Sequence, residues 1–226
     1  MLFLLKSKID SHRHTNGDRI TFLIPIGIIR LQNDFIREKE RNDLSMSKTI
    51  LVTGGAASGK SRWAVSYLSA CDYVLFLSVA DTVDKDTMGR IEYGNKHNYV
   101  EWDIKTGAKS APAEFITDHK FVIFDNLAAY ASQVMKDMCS DIASMDEETK
   151  KAVEKKIIAD VSDMYDKIMV IDGTMITITL ETGFSVTPEN KEQAVFREIL
   201  GNVNQRIANM SNEVYLSASG IQFKIK

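Results

Sequence analysis

The sequence predicts an α/β fold in three layers, with a mostly parallel β-sheet and helices on both of its faces. Short apolar, β-rich runs alternate with segments whose apolar residues recur every three or four positions, which is typical of strands alternating with helices. In addition, the glycine-rich stretch TGGAASGKSR, residues 53–62, directly follows the apolar run Ile50-Leu51-Val52. A stretch with so few large apolar side chains contributes little to a core, so its position indicates a binding loop.

The N-terminal half of the fold is predicted to contain three strands and three helices. Residues 48–53 predict the first strand, and a helix begins at Gly59 and ends near residue 70. Residues 73–79, YVLFLSV, predict a second strand, followed by a polar loop over 81–86. A helix is predicted over 87–99, although Gly94 weakens it by about 1 kcal/mol relative to alanine. FVIFD, residues 121–125, predicts the third strand, and 127–138 predict the next helix.

The C-terminal half is predicted to begin with a long helix. Ser144-Met145-Asp146-Glu147 fits a capping box at its start. The helix's apolar positions predict one buried face, made of Val153, Ile157, Val161, Met164 and Ile168. Residues 174–180 predict a fourth strand, and Thr187 followed by Pro188 predicts the N-cap and first residue of the last helix. The inner face of that helix is predicted to carry Val195, Ile199, Val203 and Ile207. Residues 213–217 and 221–225 predict two final strands, the second at a sheet edge.

The composition is that of an ordinary globular protein. Hydrophobic residues make up 44% of the 226 residues and charged residues 26%, and the net charge of −3 gives no electrostatic reason to expect nucleic acid as a partner. Cys71 and Cys139 are far apart and form no CxxC pair. This argues against a disulfide scaffold or a cysteine-ligated zinc site and favours a reduced, cytoplasmic location.

Residues 1–45 are predicted to be an N-terminal extension outside the domain, which we place at residues 46–226. The apolar run over residues 20–31 is too short for a membrane span, which needs roughly 20 residues, and no signal-peptide cleavage pattern is present. Two explanations stay open: a mis-called start codon upstream of Met46, or a disordered or amphipathic tail. Mass spectrometry of the native N-terminus distinguishes them, because peptides from residues 1–45 would exclude the first.

A phosphate-binding loop is predicted directly after the first strand. The sequence fits G-x-x-x-x-G-K-[ST] without a mismatch, in the strand–loop–helix setting that this motif needs. Small residues let backbone N–H groups converge on phosphate oxygens, Lys60 supplies a positive charge near the β- and γ-phosphates, and the Ser61 hydroxyl can bind Mg²⁺. The predicted nucleotide-binding residues are Gly54, Gly55, Ala56, Ala57, Ser58, Gly59, Lys60 and Ser61. The fold is therefore predicted to be P-loop NTPase-like.

Asp125 is predicted to complete the nucleotide site. It ends an apolar strand, and a carboxylate in that position either holds Mg²⁺ or polarises an attacking hydroxyl group. The structural alternative is a helix N-cap for the segment that begins near Leu127. The sequence lacks an N-K-x-D guanine-reading motif, which argues against a regulatory GTPase.

The second half of the chain resembles a known family. Residues 179–226 are similar to the C-terminal part of the adenosylcobinamide kinase / adenosylcobinamide-phosphate guanylyltransferase family, which reads P-E-N, F-R, G-x-x-N-Q and S-G-I at matching places. The matching positions include Glu181, Gly183, Pro188, Glu189, Asn190, Phe196, Arg197, Gly201, Asn204, Gln205, Ser219, Gly220 and Ile221. The resemblance also covers the phosphate loop, Arg90-Ile91, Trp102 and the strand that ends at Asp125.

The resemblance implies a role in cobalamin biosynthesis. Members of the family phosphorylate the aminopropanol hydroxyl of adenosylcobinamide with ATP or GTP, and then transfer GMP to that phosphate. It also implies Mg²⁺ as the cofactor and a homo-oligomer, a trimer, as the assembly. For the first step the predicted catalytic residues are Lys60 and Asp125.

The second step is predicted to differ in this chain. In the family, the histidine of an R-I-x-x-H-[RK] pattern on the helix after strand two carries GMP. Here Arg90-Ile91 begins that pattern, and a gap-free alignment puts Gly94 at the position of the histidine. His97, three residues on, shares roughly the same helical face and is the candidate substitute acceptor. A displacement of one turn moves a nucleophile about 5 Å, which favours kinase activity over guanylyl transfer.

Two further functions stay open from the sequence. One is a P-loop kinase of another small alcohol, and the other is a nucleotide-binding regulatory protein without turnover. Consumption of ATP and GTP with and without adenosylcobinamide distinguishes them.

Overall fold

A computed structural model describes residues 47–184, 186 and 188–226. These residues form seven strands, which are β1 Lys48–Gly54, β2 Val74–Ser78, β3 Trp102–Lys105, β4 Phe121–Asp125, β5 Thr174–Ile178, β6 Glu213–Ala218 and β7 Ile221–Lys224. The five described α-helices are α1 Lys60–Tyr67, α2 Lys85–Asn98, α3 Leu127–Met138, α4 Glu147–Val170 and α5 Lys191–Met210. Short 3₁₀ helices lie at Pro112–Phe115 and Ile142–Ser144.

All seven strands belong to one sheet with the order β3-β2-β4-β5-β1-β6-β7. Every neighbouring pair is parallel except β6 and β7, which form an antiparallel hairpin at the edge. The central strands are buried on both faces, as parallel strands covered by helices require. The predicted fold class, a mostly parallel sheet in a P-loop NTPase-like α/β fold, is confirmed.

Two hydrophobic clusters lie on opposite faces of the sheet. Helices α3, α4 and α5 cover one cluster, and the predicted inner face of α4 is buried there at every position. Helices α1 and α2 cover the other cluster, through residues such as Ala64, Val65 and Ile91. The α5 positions Ile199, Val203 and Ile207 are fully buried, whereas Val195 is only partly buried. The helices therefore form two outer layers around the sheet.

Two predicted helix starts are wrong. Ser144 ends a 3₁₀ turn, and the N-cap of α4 is Asp146, whose carboxylate accepts from the Thr149 N–H at 2.7 Å. An acidic N-cap also interacts favourably with the helix dipole. Helix α5 begins at Lys191 instead of Pro188, because Asn190 accepts from the Gln193 N–H at 3.1 Å. The predicted N-cap Thr187 lies outside the described residues, as do residues 1–45, whose assignment stays a prediction.

Strand β3 was missed in the sequence. Trp102 and Ile104 alternate with the charged residues Asp103 and Lys105, and the strand lies at the sheet edge beside β2. Four residues with two charges give a weak strand pattern, and only pairing with β2 makes them a strand. No helix among the described residues is both long and apolar enough to cross a membrane.

Candidate active site

The phosphate loop connects the buried strand β1 to helix α1 through a backbone that needs glycine at two positions. Gly54 has φ of 151° and Gly59 has φ of 95°, both in the region that side chains disfavour. A Cβ atom at Gly54 would lie 2.3 Å from the Ser217 carbonyl oxygen. No side chain caps α1 at Gly59, so backbone N–H groups at this helix start are available to an anion. The loop has the backbone geometry of a phosphate cradle.

A distant part of the chain fastens the phosphate loop. The Ser217 hydroxyl of β6 donates to the Ser58 carbonyl at 2.7 Å, and the Gly220 N–H donates to the same oxygen at 2.9 Å. The Gln222 amide in turn donates to the Ser217 hydroxyl at 3.1 Å. The β6–β7 hairpin therefore fixes the loop, and this role of the S-G-I motif was not predicted from the sequence.

The Lys60 ammonium group points into the phosphate loop and is buried, with 7% of the residue exposed. It donates to the Gly54 carbonyl at 2.9 Å, to the Gly55 carbonyl at 2.6 Å and to the Ser58 hydroxyl at 3.4 Å. Burial lowers the pKa of Lys60, and the charge of Asp125 partly opposes this. The positive charge of Lys60 therefore lies where it would contact phosphate oxygens, and the loss of its hydration is unfavourable.

Ser61 and Asp125 come together at the carboxyl end of the sheet. Strand β5 separates β1 from β4, and the register aligns Val52 with Ile178 and Ile178 with Asp125. The Ser61 side chain lies close enough to the Asp125 carboxylate to favour its charged form. Burial raises the pKa of Asp125, although the bonds from Ser61 and Asn126 and the charge of Lys60 favour the carboxylate.

The donor set fits a magnesium ion. A hydroxyl and a carboxylate oxygen are hard ligands, and Mg²⁺ is usually held by one or two protein carboxylates with phosphate oxygens and water. The described residues contain no group of three or more histidine, cysteine or acidic side chains that could hold a metal alone. Ser61 and Asp125 would therefore hold the ion together with the nucleotide's phosphates.

Known proteins are similar in sequence to this chain over most of its length. A sequence model of the cobinamide kinase / cobinamide phosphate guanyltransferase family matches residues 50–225. The chain belongs to this family. The bifunctional adenosylcobalamin biosynthesis protein CobU of Escherichia coli K12 is 29% identical over 180 residues, which cover 78% of this chain and 99% of that protein. The protein of the same name from Salmonella typhimurium is 27% identical over 186 residues, with the same coverage of both chains.

Among solved structures, the flagellar accessory protein FlaH from Methanocaldococcus jannaschii is 12% identical with a TM-score of 0.46, covering 85% of this chain and 84% of that chain. A likeness this distant carries no argument about activity. The family assignment therefore rests on the sequence match. The family is one of nucleotide-dependent kinases and guanyltransferases.

Helix α2 carries the position where this chain departs from the family motif. Gly94 faces α1, and a Cβ atom there would lie 3.8 Å from the Ser69 Cβ. His97 is exposed and stacks on Tyr93, with ring centroids 5.7 Å apart. Both residues line a cavity of about 570 Å³ between α1 and α2, the α1–α2 groove, with Ser66, Ser69 and Arg90.

His97 lies apart from the residues that gather at the phosphate loop. The start of α2 is near the active site, because the charge of its N-cap Asp84 acts on Asp125. His97 comes twelve residues after Lys85, which is about 18 Å along an α-helix. The structure brings together Lys60, Ser61 and Asp125 but leaves His97 at the far end of α2. The roles of all four stay predictions.

The family's C-terminal motif residues meet at a second cavity of about 540 Å³ beside α5. We call it the α5 cavity; its lining includes Glu181, Gly183, Pro188, Arg197, Gly201, Asn204 and Gln205. Asn204 has a structural role there, because its amide accepts from the Thr179 hydroxyl at 2.8 Å and donates to the Leu180 carbonyl at 2.9 Å. The sequence motif indicated these residues, but only the fold shows that they share one cavity.

Proposed function

We propose that the protein transfers the γ-phosphoryl group of ATP or GTP to the aminopropanol hydroxyl of adenosylcobinamide. The observation that carries this proposal is the juxtaposition of the Ser61 hydroxyl and the Asp125 carboxylate beside the buried Lys60 ammonium group. It joins a phosphate-binding loop to a carboxylate at the edge of the sheet where an acceptor alcohol can reach the nucleotide. Family membership supports the choice of the alcohol.

Each group has a distinct task in this reaction. The loop amides and Lys60 bind the phosphate oxygens and stabilise the charge that spreads over them in the transition state. Ser61 and Asp125 would hold magnesium, which when bound would neutralise phosphate charge. Asp125 can also orient the acceptor hydroxyl, and its raised pKa makes it a stronger base than an ordinary aspartate.

The proposal is tested by measuring ATP and GTP consumption with and without adenosylcobinamide, and by identifying the product. We expect turnover to require the corrinoid and to yield its phosphate monoester. Turnover with other small alcohols but not with the corrinoid would support a kinase of different specificity. Tight nucleotide binding with no turnover on any alcohol would support a regulatory protein, and either result would overturn the proposal.

We further propose that this chain has lost efficient GMP transfer. Glycine cannot form a covalent bond to phosphorus through its side chain, and His97 is about 4.5 Å further along the helix than Gly94. The test is incubation with GTP labelled on the α-phosphate, followed by assay for acid-labile label on the protein. We expect no label on the native chain.

Two variants make this labelling experiment decisive. Gly94→His places an imidazole in the α1–α2 groove, where a Cβ atom meets only Ser69 within 4 Å, so the substitution is accommodated. Label on this variant but not on the native chain would support loss of the nucleophile as the cause. Label on the native chain that disappears in His97→Ala would show instead that His97 is the acceptor.

The family resemblance also supports a homotrimer located in the cytoplasm. Edge strand β7 presents exposed Ile221 and Phe223 along one side, a surface suited to contact with another protomer. Analytical ultracentrifugation at micromolar concentration should give the mass of three chains, and a monomer at that concentration would contradict this assembly.

A further inference from the structure

The α5 cavity contains buried polar atoms that lack partners. The Thr53 hydroxyl is in a residue only 8% exposed, and among the described residues it has no hydrogen-bond partner. The same holds for the Nη1 atom of Arg197, whose Nη2 atom donates to the Gly183 carbonyl at 3.0 Å. Both residues line the cavity. Buried donors without partners are unfavourable, and they are satisfied when a ligand supplies acceptors.

The other walls of the cavity limit the ligand's chemistry. Leu51, Val214 and Ile225 give it an apolar side. Glu181 also lines it, and one carboxylate oxygen of Glu181 accepts from the Gly183 N–H, which leaves acceptor capacity on that side chain. A guanidinium donor and a carboxylate acceptor that line one cavity match a neutral group with both a carbonyl oxygen and N–H donors. A ligand carboxylate would be repelled by Glu181.

The cavity adjoins the phosphate loop. Thr53 directly precedes Gly54, and the Glu181 N–H donates to the Gly54 carbonyl at 3.0 Å. A ligand that fills the cavity therefore contacts residues bonded to the cradle of the nucleotide. This proximity connects the cavity to the acceptor substrate rather than to a remote regulator.

We infer that the α5 cavity is a subsite for a primary carboxamide arm of the corrinoid substrate, with the apolar rim of the ring against Leu51, Val214 and Ile225. This inference rests on the proposed function. The corrin periphery carries primary carboxamides and methyl groups. The polar residues of the cavity can bind the carboxamides, and its apolar residues can contact the methyl groups. Arg197 and Thr53 donate to the amide oxygen, and Glu181 accepts from the amide nitrogen.

The decisive variant is Thr53→Val, which removes the hydroxyl and keeps the shape of the side chain. Binding of adenosylcobinamide to the full chain in the presence of Mg-ADP is measured by calorimetry. We expect Kd to rise about 3- to 10-fold, the loss of one hydrogen bond, while Tm stays the same or rises because a buried unpaired hydroxyl is gone. A purely structural role of Thr53 would instead lower Tm and leave Kd unchanged.

A second variant and a matched control separate an effect on ligand binding from an effect on folding. Arg197→Lys removes the Nη1 donor and should raise Kd roughly tenfold, because the lost bond involves a charged group. Arg206→Lys, an exposed position on the same helix that does not line the cavity, should bind the corrinoid as the native chain does. Native affinity in both Thr53→Val and Arg197→Lys would overturn the inference.

The ligand itself can be varied to test the role of charge. A cobinamide whose peripheral amides are hydrolysed to carboxylates should bind the native chain less tightly, and Glu181→Gln should recover part of that loss. Equal affinity for both ligands in the native chain would contradict the assignment of Glu181. If native protein phosphorylates the corrinoid but the variants bind normally, only this inference fails; if native protein neither binds nor phosphorylates it, the proposed function fails as well.

Discussion

Gly54 in the phosphate loop and Gly94 in helix α2 have opposite surroundings. At Gly54 the backbone has positive φ, and a Cβ atom would lie 2.3 Å from the Ser217 carbonyl oxygen. At Gly94 the backbone is helical, and the nearest atom to an added Cβ is 3.8 Å away. The first glycine is required by the structure around it, whereas nothing in the described structure requires the second.

The same contrast extends to the regions around the two glycines. The phosphate loop is fixed by bonds from Lys60, Ser217 and Gly220, all directed at its carbonyl oxygens. The α1–α2 groove has exposed side chains such as Tyr93, which is 70% exposed. A region in which each position is fixed by its neighbours resists substitution, and a solvated groove tolerates it. The family's phosphate loop can therefore be intact in a chain whose α2 has diverged.

Replacement of Lys60 by methionine should have the largest effect on activity. The variant keeps an apolar stem but loses the charge that meets the phosphates, so we expect kcat to fall at least 10²- to 10³-fold. Because burial already disfavours the lysine's charge, the free energy of unfolding should change little. Single-turnover kinetics and thermal unfolding check both expectations, and undiminished kinase activity would mean that the site is elsewhere.

Gly54→Ala should break the loop itself. The clash with Ser217 and the strained backbone should lower the free energy of unfolding by about 3 kcal/mol and abolish nucleotide binding. Gly55→Ala is the matched control, because no atom lies within 4 Å of a Cβ built there and its φ is not positive. Denaturant titration should separate the two variants by at least about 2 kcal/mol, and equal stabilities would refute the steric argument.

Asp125→Asn should increase stability while reducing activity. A buried carboxylate whose pKa is raised destabilises the folded state at neutral pH, and an amide of nearly the same shape removes that buried charge. The native chain should therefore be less stable than the variant at pH 7, by on the order of 1 kcal/mol. Because the folded-state pKa is raised, this penalty is absent below the ordinary value of 3.8 and grows as the pH rises through the folded-state pKa. Thermal unfolding from pH 3.5 to 7.5 measures it, and a difference that shrinks with rising pH would contradict the sign.

Gly94→Ala should have a small stabilising effect. The Cβ atom has room, and alanine is favoured over glycine in a helix interior by about 0.8–1 kcal/mol. Gly89→Ala, on the same helix and with nothing within 4 Å of the added Cβ atom, is the companion variant and should stabilise similarly. If Gly94→Ala alone were destabilising, the groove would be closer packed than the structure describes.

The sequence predicted the strands and helices well wherever the pattern was strong. FVIFD and the helix after it have the predicted bounds, since an unbroken apolar run is a local signal. The N-cap of that helix is Asn126, so the alternative that made Asp125 the N-cap is wrong. The weak elements were missed or displaced: β3 has four residues with two charges, and Asp146 competed with Ser144 for the N-cap of α4. These outcomes depend on which hydrogen bonds form in three dimensions, which neighbouring residues alone do not decide.

The sequence by itself predicted the phosphate loop, because the residues that would bind phosphate are eight consecutive ones, and it determined the family through motifs spread along the chain. Only the tertiary structure decided how those motifs are used. Asp125 lies near Ser61 because β5 pairs with both β4 and β1, so that the end of β4 is one strand away from the loop that follows β1. Ser217 reaches Ser58 because β6 pairs with β1. Thr53, Glu181 and Arg197 share a cavity for the same reason. Sheet order and helix packing bring distant residues together by burying apolar surface, and such long-range contacts leave no spacing in the sequence from which they can be read.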